Sequence, residues 1–328
     1  MNRRDVLRTL GSSALALVSL SHKLNAAAEP AEETLRRVLP SFNSKSRSLL
    51  QKLLQAGFTG QIPAAAVKEL LSSEGTDIGT LMVRLLPLAR TYSRPPISNY
   101  YVGAVVKGAS GSIYPGANLE IPGHSLGFSV HGEQAAISNA YMHGESAVIS
   151  ISVTAAPCGH CRQFMKEVSP DSGIEILVEG KAPAKLSSLL PLAFGPKDLG
   201  FKEGAFPVRQ TKLILPNATD AVTAAALDAA RHSYAPYSES PSGVAIMTKG
   251  GGMYKGSYLE NAAFNPSLSP LQIGLVQLIL AGDDFSAISQ VVLVESSRGK
   301  ISQASVTQTV LNSIAPTASL QRFQATPA

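Results

Sequence analysis

The sequence lacks tryptophan altogether and contains only two cysteines in 328 residues. Two cysteines cannot supply the two ligand pairs of a zinc ribbon. Charged residues make up 16% of the chain and hydrophobic residues 45%, which is typical of globular rather than disordered proteins. Long hydrophobic runs are missing too, because the apolar stretch at residues 10–20 is too short to span a bilayer. The length suits about two domains with their own cores.

The charge of the chain gives little support to a nucleic-acid partner. The net charge is +5 and the pI is about 9.1. Residues 1–28 hold four basic residues and one acidic residue, so this segment accounts for +3 and the rest of the chain for only +2. There is also no lysine- or arginine-rich run interleaved with aromatic residues, the pattern that forms a groove for single strands. We therefore expect no nucleic-acid partner and no basic strand channel.

Residues 1–28 are instead interpreted as a targeting segment. Arg3-Arg4 near the start resembles a twin-arginine export motif, the apolar residues 10–20 follow, and Ala26-Ala27-Ala28 provides a small-residue cleavage site. This pattern predicts export to the periplasm, with no other membrane association. The alternative is an ordinary N-terminal amphipathic helix in a cytoplasmic protein.

Both cysteines fall in one motif, Pro157-Cys158-Gly159-His160-Cys161, and His131-Gly132-Glu133 precedes it. One histidine and two thiolates form a ligand set that suits zinc. A structural zinc site is closed by four protein ligands, whereas three ligands leave a position for water, so the set indicates a catalytic site. A redox dithiol is the alternative for the cysteine pair, but it leaves His131 and Glu133 unexplained.

The spacing of these residues also assigns roles. Glu133 lies two residues after His131, close enough to transfer protons without binding the metal. Pro157 is expected to open a helix that places Cys158 and Cys161 on one face of its first turn, where the helix dipole favours thiolates. Two thiolates offset the charge of the metal, so groups such as Glu133 must assist in activating water. Arg162 is predicted either to hydrogen-bond a ligand sulfur or to lie solvated on the surface.

Helical and strand patterns alternate after residue 92 and indicate a layered α/β sheet. The apolar spacing before that point is helical. The sequence predicts helices over 48–56, 64–71, 78–92, 131–142 and 158–168, and strands over 101–107, 112–114, 148–154 and 174–178. The first two strands are expected to form a hairpin.

The second half repeats the first in a weakened form. Gly103 and Gly243 are 140 residues apart, and so are Leu119-Glu120 and Leu259-Glu260. Where the first copy has His131, the second has Ser269-Pro270-Leu271-Gln272, with no cysteine pair after it. We therefore predict a duplication in which only the first copy binds metal. The predicted units are a leader (1–28), an N-terminal helical segment (29–76), a catalytic zinc domain (77–199, the first copy) and a degenerate domain (215–328, the second copy).

Several motifs together resemble the two-domain bacterial cytidine deaminases. They are SNYYVGA at 98–104, GANLE at 116–120, HGEQAAI at 131–137, PCGHCRQF at 157–164, AFGPKDLG at 193–200 and YAPYSESPSGVA at 234–245. The H-x-E…P-C-x-x-C pattern is that of zinc-dependent deaminases. The resemblance covers nearly everything after about residue 30, and Gly132, where the family usually has alanine, departs from it. It implies the layered α/β/α cytidine-deaminase fold with a mixed sheet, one zinc ion per chain, and hydrolysis of cytidine and deoxycytidine to uridine and deoxyuridine in pyrimidine salvage.

The same resemblance implies the substrate contacts and the assembly. Asn118, Leu119 and Glu120 match the ribose-binding segment, although an amide and a carboxylate two positions apart also suit an ordinary turn. Tyr100 matches a ring that packs on the nucleoside and Phe194 a residue that lines its pocket, with core packing as the alternative for both. The resemblance further implies a homodimer in which the degenerate domain helps close the partner's active site, with residues 234–245 as the candidate contact. The rival functions are deamination of cytosine in a polynucleotide or nucleotide, and a non-catalytic zinc-stabilised binding protein.

Overall fold

The structure is a computed structural model that describes residues 38–169, 171, 173–216 and 218–328. The predicted export leader, with Arg3 and Arg4, lies outside the described residues. Within the described part of the chain, each helix is too short or too polar to cross a membrane.

Among the residues described from 38 onward, four α-helices precede the first sheet: α1 (Ser44–Gln55), α2 (Ala64–Glu74), α3 (Ile78–Arg84) and α4 (Leu86–Arg90). The predicted single helix over 78–92 is wrong, because it is divided at Leu85. Pro87 lies in the first turn of α4, where a residue without an amide donor fits a helix start but not a helix interior. Leu81, Met82 and Leu86 on these helices are fully buried and belong to one apolar cluster.

The first copy contains a five-stranded mixed sheet in the order β2-β1-β3-β4-β5. The strands are β1 (Gly103–Gly108), β2 (Ile113–Ala117), β3 (Val148–Val153), β4 (Glu175–Val178) and β5 (Ala184–Lys185). The hairpin β1–β2 is antiparallel, as predicted, and β3 and β4 are parallel. Three helices accompany this sheet: α5 (Gly132–Met142), α6 (Gly159–Val168) and α7 (Leu186–Leu189).

Alternate residues of β1 face opposite layers, as the period of a strand requires. Val105 joins the cluster of the N-terminal helices, whereas Ala104 and Val106 join the cluster that contains residues of α5 and α6. The sheet therefore lies between two helical layers, which confirms the predicted α/β/α arrangement.

The second copy has a five-stranded sheet in the order β6-β10-β9-β7-β8. Its strands are β6 (Leu213–Ile214), β7 (Ser242–Thr248), β8 (Met253–Ser257), β9 (Ile288–Ser296) and β10 (Ser319–Pro327). Its helices are α8 (Ala221–Arg231), α9 (Pro270–Leu280) and α10 (Ala304–Ile314). The pair β7–β8 is an antiparallel hairpin and β9–β10 is parallel, so the duplication extends to the topology.

Glycines that recur 140 residues apart lie where the backbones of a strand and a helix approach each other closely. A Cβ atom at Gly116 would lie 2.1 Å from the backbone nitrogen of Ala136, and one at Gly256 would lie 2.0 Å from the carbonyl oxygen of Pro270. Both copies therefore need glycine for the same packing of β2 on α5 and of β8 on α9.

The two copies pack through α5 and α9, which occupy equivalent places in the repeat. Asn139 of α5 and Gln277 of α9 lie 138 residues apart, and the Gln277 Nε2 atom donates to the Asn139 Oδ1 atom at 3.4 Å. Apolar residues of both helices, including Ile137, Leu271 and Leu275, belong to one continuous core. The copies therefore share a core instead of forming two separate units.

Candidate active site

Two helix N-termini carry the predicted metal ligands. His131 is the N-cap residue of α5 and Cys158 is the N-cap residue of α6, with Cys161 in the first turn of α6. The Oε1 atom of Gln134 accepts a hydrogen bond from the backbone nitrogen of His131 at 3.2 Å and so closes the start of α5. The expectation that Pro157 opens the second helix is wrong by two positions, because Cys158 caps the helix and Pro157 precedes the cap.

The structure brings the three predicted ligands together. The Nδ1 atom of His131 lies 3.5 Å from the Sγ atom of Cys158 and 3.3 Å from that of Cys161, and the two sulfur atoms are 3.6 Å apart. Tetrahedral zinc with nitrogen and sulfur ligands at about 2.0–2.3 Å requires spacings of roughly 3.5–3.8 Å between the ligand atoms. The three donor atoms therefore fit a zinc ion with little movement, and they leave the fourth position free of these ligands.

The two thiols are hydrogen-bonded to each other, which affects the pKa of both. The hydrogen bond between the two thiols lowers the pKa of the Cys158 thiol to about 4 and raises the pKa of the Cys161 thiol, which is buried. Zinc coordination requires thiolates, so zinc binding would release any proton that the two thiols still carry.

Glu133 lies in the first turn of α5 and is only 5% exposed. Its carboxyl group is hydrogen-bonded to Cys161, and burial raises its pKa. The structure thus places an acid–base group beside the ligands, where a proton can pass to or from a reacting group. Gly132, next to it, has little room for a side chain, because a Cβ atom there would lie 2.9 Å from a methyl carbon of Val102.

Arg162 does not follow either predicted role. Its Nε atom donates to the carbonyl oxygen of Pro157 and its Nη1 atom to that of Leu189, both at 2.9 Å. These bonds hold the segment that leads into the metal helix against the end of α7, and they go to backbone atoms rather than to a ligand sulfur. The His160 ring stacks on the His131 ring, with 5.2 Å between the centroids.

The residues predicted to bind ribose hold the loop before β1. The Nδ2 atom of Asn118 donates to the carbonyl oxygen of Tyr100, and its Oδ1 atom accepts from the backbone nitrogen of Val102, both at 2.9 Å. Glu120 accepts from the backbone nitrogens of residues 97 and 98 at 2.8 and 2.9 Å. The turn-forming alternative is therefore present in the structure, and these carboxylate and amide groups fix the loop that presents Tyr100.

Leu119 lies between these two residues, with its side chain buried. Its side chain is 2% exposed and lies in the core, while its backbone pairs with Val130 in both directions, at 2.9 and 2.8 Å. The pairing holds the chain one residue before His131, and the substrate contact of Leu119 stays a prediction.

Tyr100 and Phe194 are not core residues, because 61% and 46% of their surfaces are exposed. The carbonyl oxygen of Phe194 accepts from the Nε2 atom of Gln163 on α6 at 2.8 Å, which ties this ring to the metal helix. The core-packing alternative is wrong for both aromatic residues.

Sequence reasoning missed the groups that join the site to the second copy. Gln134 and Gln272 hold equivalent positions in the repeat. That recurrence is the sequence signal by which they could have been found. Glu167 gave no signal, because an acidic residue in an amphipathic helix is usually solvated, yet it is 1% exposed. Tyr234 and Tyr237, predicted to contact a partner chain, donate to this carboxylate within the same chain.

Comparison with known proteins agrees with the geometry. The family described as the cytidine and deoxycytidylate deaminase zinc-binding region matches the chain twice, over residues 77–174 and 186–308. A protein named cytidine deaminase from Vibrio vulnificus (strain YJ016) is 45% identical over 273 residues, which cover 83% of this chain and 92% of that relative. Another protein of that name from Shewanella oneidensis is 45% identical over 263 residues, covering 80% and 88%.

Solved structures of cytidine deaminases also align with part of the chain. The one from Mycobacterium tuberculosis has 25% identity and a TM-score of 0.34, over 37% of this chain and 99% of its own. The one from Burkholderia pseudomallei has 28% identity and a TM-score of 0.32, over 35% and 98%. On the sequence relationship over most of its length, the chain belongs to the cytidine and deoxycytidylate deaminase family.

Proposed function

We propose that this protein is a zinc-dependent cytidine deaminase, which hydrolyses cytidine and deoxycytidine to uridine and deoxyuridine with release of ammonia. The observation that carries the proposal is the convergence of His131, Cys158 and Cys161 at distances suited to zinc, with the buried carboxyl group of Glu133 beside them. The names of relatives that align over most of their own length support the same substrate class.

The residues of the chain divide the work of the reaction. When bound, zinc supplies the Lewis acidity that makes the attacking water more acidic. Glu133 accepts a proton from that water at a carboxylate oxygen and delivers it to the ring nitrogen N3 as the oxygen attacks C4. Glu133 then takes the proton of the hydroxyl group now on C4 and passes it to the amine, so that the C4–N bond breaks, ammonia leaves and the C4 carbonyl of a uracil forms. Burial of Glu133 suits this exchange, because it raises the pKa of the carboxyl group towards neutral pH, where the group can both accept and donate a proton.

We assign the sugar end of the substrate to the loop that Asn118 and Glu120 hold in place. The support is that Glu120 is only partly buried, and that two aromatic side chains are exposed on segments tied to the site: Tyr100 through Asn118 and Phe194 through Gln163 of the metal helix. A carboxylate at the sugar favours ribose hydroxyls and repels a phosphate, so a nucleoside fits better than a nucleotide.

The substrate test uses purified protein with cytidine, deoxycytidine, cytidine monophosphate and a cytosine-containing oligonucleotide, and measures the ammonia released. We expect turnover of the two nucleosides and little or none of the other two. Faster reaction with the monophosphate or the oligonucleotide would replace the proposed substrate by one of the two rival classes.

We further propose that the protein acts in pyrimidine salvage after export to the periplasm. The supporting feature is the twin-arginine-like segment at residues 1–28, and export in the folded state protects two thiolates from oxidation in a disulfide-forming compartment. Fractionation of the native host should recover a shortened chain from the periplasm. Full-length protein confined to the cytoplasm would contradict this proposal.

The proposed assembly is a homodimer in which the second copy helps close the partner's active site. The support is the family resemblance together with exposed apolar side chains, such as Leu192 and Phe264, which are 98% and 67% exposed. Light scattering should give twice the chain mass, and a monomer with full activity would contradict the proposal.

A further inference from the structure

We propose that the second copy positions the zinc ligands of its own chain, by holding both ligand-bearing helices through two buried hydrogen-bonded joints. The glutamine joint consists of Gln134, Gln272 and the carbonyl groups of Phe128 and Pro266. The carboxylate joint consists of Glu167 and its donors Tyr234, Tyr237 and Ala262. The inference rests on the proposed function only for the measurements of turnover, because zinc affinity can be measured whatever the substrate.

The glutamine joint is reciprocal. The Nε2 atom of Gln134, in the first copy, donates to the carbonyl oxygen of Pro266 at 2.9 Å, and that of Gln272, in the second, donates to the carbonyl oxygen of Phe128 at 3.0 Å. Both glutamines are buried, and each uses its Oε1 atom to accept from the N-cap backbone of its own helix, His131 or Ser269, at 3.2 and 2.9 Å.

The glutamine joint holds the chain around His131. Gln134 caps the residue that carries the imidazole, and Gln272 holds the chain three residues before it at Phe128. One glutamine thus holds the backbone of the metal ligand itself, and a glutamine of the other copy holds the chain just before it. The second copy has serine in place of the histidine but keeps the glutamine, Gln272. Because the second copy has no metal ligands, it does not need Gln272 for chemistry of its own.

The carboxylate joint acts on the other ligand helix. Glu167 follows Cys161 on α6, and its carboxylate is 1% exposed. Its Oε1 atom accepts from the hydroxyl groups of Tyr234 at 2.7 Å and Tyr237 at 2.5 Å, and its Oε2 atom accepts from the backbone nitrogen of Ala262 at 2.8 Å. All three donors are neutral and all belong to the second copy.

The energy of a buried carboxylate depends strongly on its hydrogen-bond donors. A buried charged acceptor that loses a hydrogen bond keeps its desolvation penalty, so the surrounding elements must shift to compensate. Asn261 adds a contact to the same helix, because its Nδ2 atom donates to the carbonyl oxygen of Gln163 at 3.1 Å. The position of α6, and with it that of Cys158 and Cys161, is therefore set by loops of the second copy.

The test compares variants of the two joints with a control variant elsewhere in the second copy. Tyr234→Phe and Tyr237→Phe, singly and together, remove donors from the carboxylate joint. Gln272→Met removes the donor to Phe128, together with the acceptor for the Ser269 nitrogen. Tyr254→Phe is the matched control, because the Tyr254 hydroxyl donates to the Asp283 carboxylate at 2.6 Å within the second copy, away from both joints. Zinc affinity is measured by competition with a chelator, alongside thermal unfolding and the steady-state kinetics of the full chain.

We expect the joint variants to bind zinc roughly ten- to a hundred-fold more weakly, the range typical for groups that orient metal ligands. Tyr254→Phe should leave zinc affinity unchanged even where it lowers the melting temperature. The kinetic loss should appear in kcat, since the joints do not touch the substrate.

Two outcomes would overturn the inference. One is unchanged zinc affinity in Tyr237→Phe and Gln272→Met, and the other is an equal loss in Tyr254→Phe. If the double tyrosine variant does not fold, the single variants decide. A wild-type protein that binds zinc but does not deaminate nucleosides would reject the proposed function, while the chelator competition would still test the joints.

Discussion

Glu133 is the residue on which the proposed chemistry depends most directly, because it lies beside the metal ligands without being one of them. Glu133→Ala should retain zinc and lose turnover by roughly a hundred- to ten-thousand-fold, the usual contribution of a general acid–base group. Metal analysis and ammonia release from the same preparation check both parts. A variant with one zinc ion and near wild-type activity would remove Glu133 from the proton-transfer role.

Cys158 should behave differently, because its loss takes away a ligand. Cys158→Ala is expected to lower zinc content and activity together, since two ligands hold the ion far less well than three. Gly159→Ala is the matched control at the neighbouring position, where an added Cβ atom meets nothing within 4 Å. Metal analysis of both variants after dialysis makes the comparison. Equal zinc content in Cys158→Ala and Gly159→Ala would exclude Cys158 from the ligand set.

At the scale of elements, the repeated glycines determine how a strand and a helix pack. Gly256→Ala would place a Cβ atom 2.0 Å from the Pro270 carbonyl oxygen and 2.4 Å from the Gly274 nitrogen. The strand must then move away from α9, and we expect a loss of roughly 1–3 kcal/mol in the free energy of unfolding. Urea unfolding measures it, with Gly250→Ala in the same hairpin as a control, where the nearest atom would be 3.9 Å away. Equal stability of the two variants would contradict the packing argument.

Glu145, just after α5, ties that helix to the β1–β2 turn and makes the fold sensitive to acid. Its carboxylate accepts from Ser110 Oγ at 2.5 Å, Tyr114 Oη at 3.1 Å and the Ser146 nitrogen at 2.7 Å. Burial alone would raise its pKa, but these hydrogen bonds outweigh burial and lower the pKa below the usual 4.5. The ionised carboxylate therefore stabilises the fold above about pH 4.5, and that contribution is lost as the pH falls through the lowered pKa.

Glu145→Gln should accordingly cost about 1–3 kcal/mol at neutral pH, the penalty for disturbing buried hydrogen bonds to a charged group. The difference from wild type should shrink as the pH falls below 4.5. Urea unfolding across this range measures the difference. A gap that is independent of pH would show that ionisation of Glu145 does not contribute.

At the scale of the whole molecule, the shared core predicts that the first copy cannot stand alone. Removing everything after residue 214 would expose the apolar face of α5 that packs on Leu271 and Leu275 of α9. It would also leave Glu167 and Gln134 without their partners. The fragment 29–214 should be poorly soluble or inactive although every metal ligand is present. Solubility, chromatography and activity test this, and a soluble, fully active monomeric fragment would contradict it.

The sequence alone was sufficient for features that depend on neighbouring residues or on simple periods. His131 and the cysteine pair predict a zinc site because few other metal ions suit that ligand set. The alternation of a strand likewise separates the side chains of β1 into two faces. The duplication was visible in part because close backbone contact admits only glycine at Gly103 and Gly243, which recur 140 residues apart. Each of these follows from local chemistry that the order of residues contains directly.

Only the tertiary structure decided which distant groups meet. Tyr234 lies 67 residues from Glu167, and Gln272 lies 144 residues from Phe128, so no local pattern connects them. The same holds for Arg162, whose guanidinium group reaches the backbone of Leu189. A polar side chain has the same local sequence signature whether water or a distant donor satisfies it. Its partner is set by the packing of elements that are far apart in the chain.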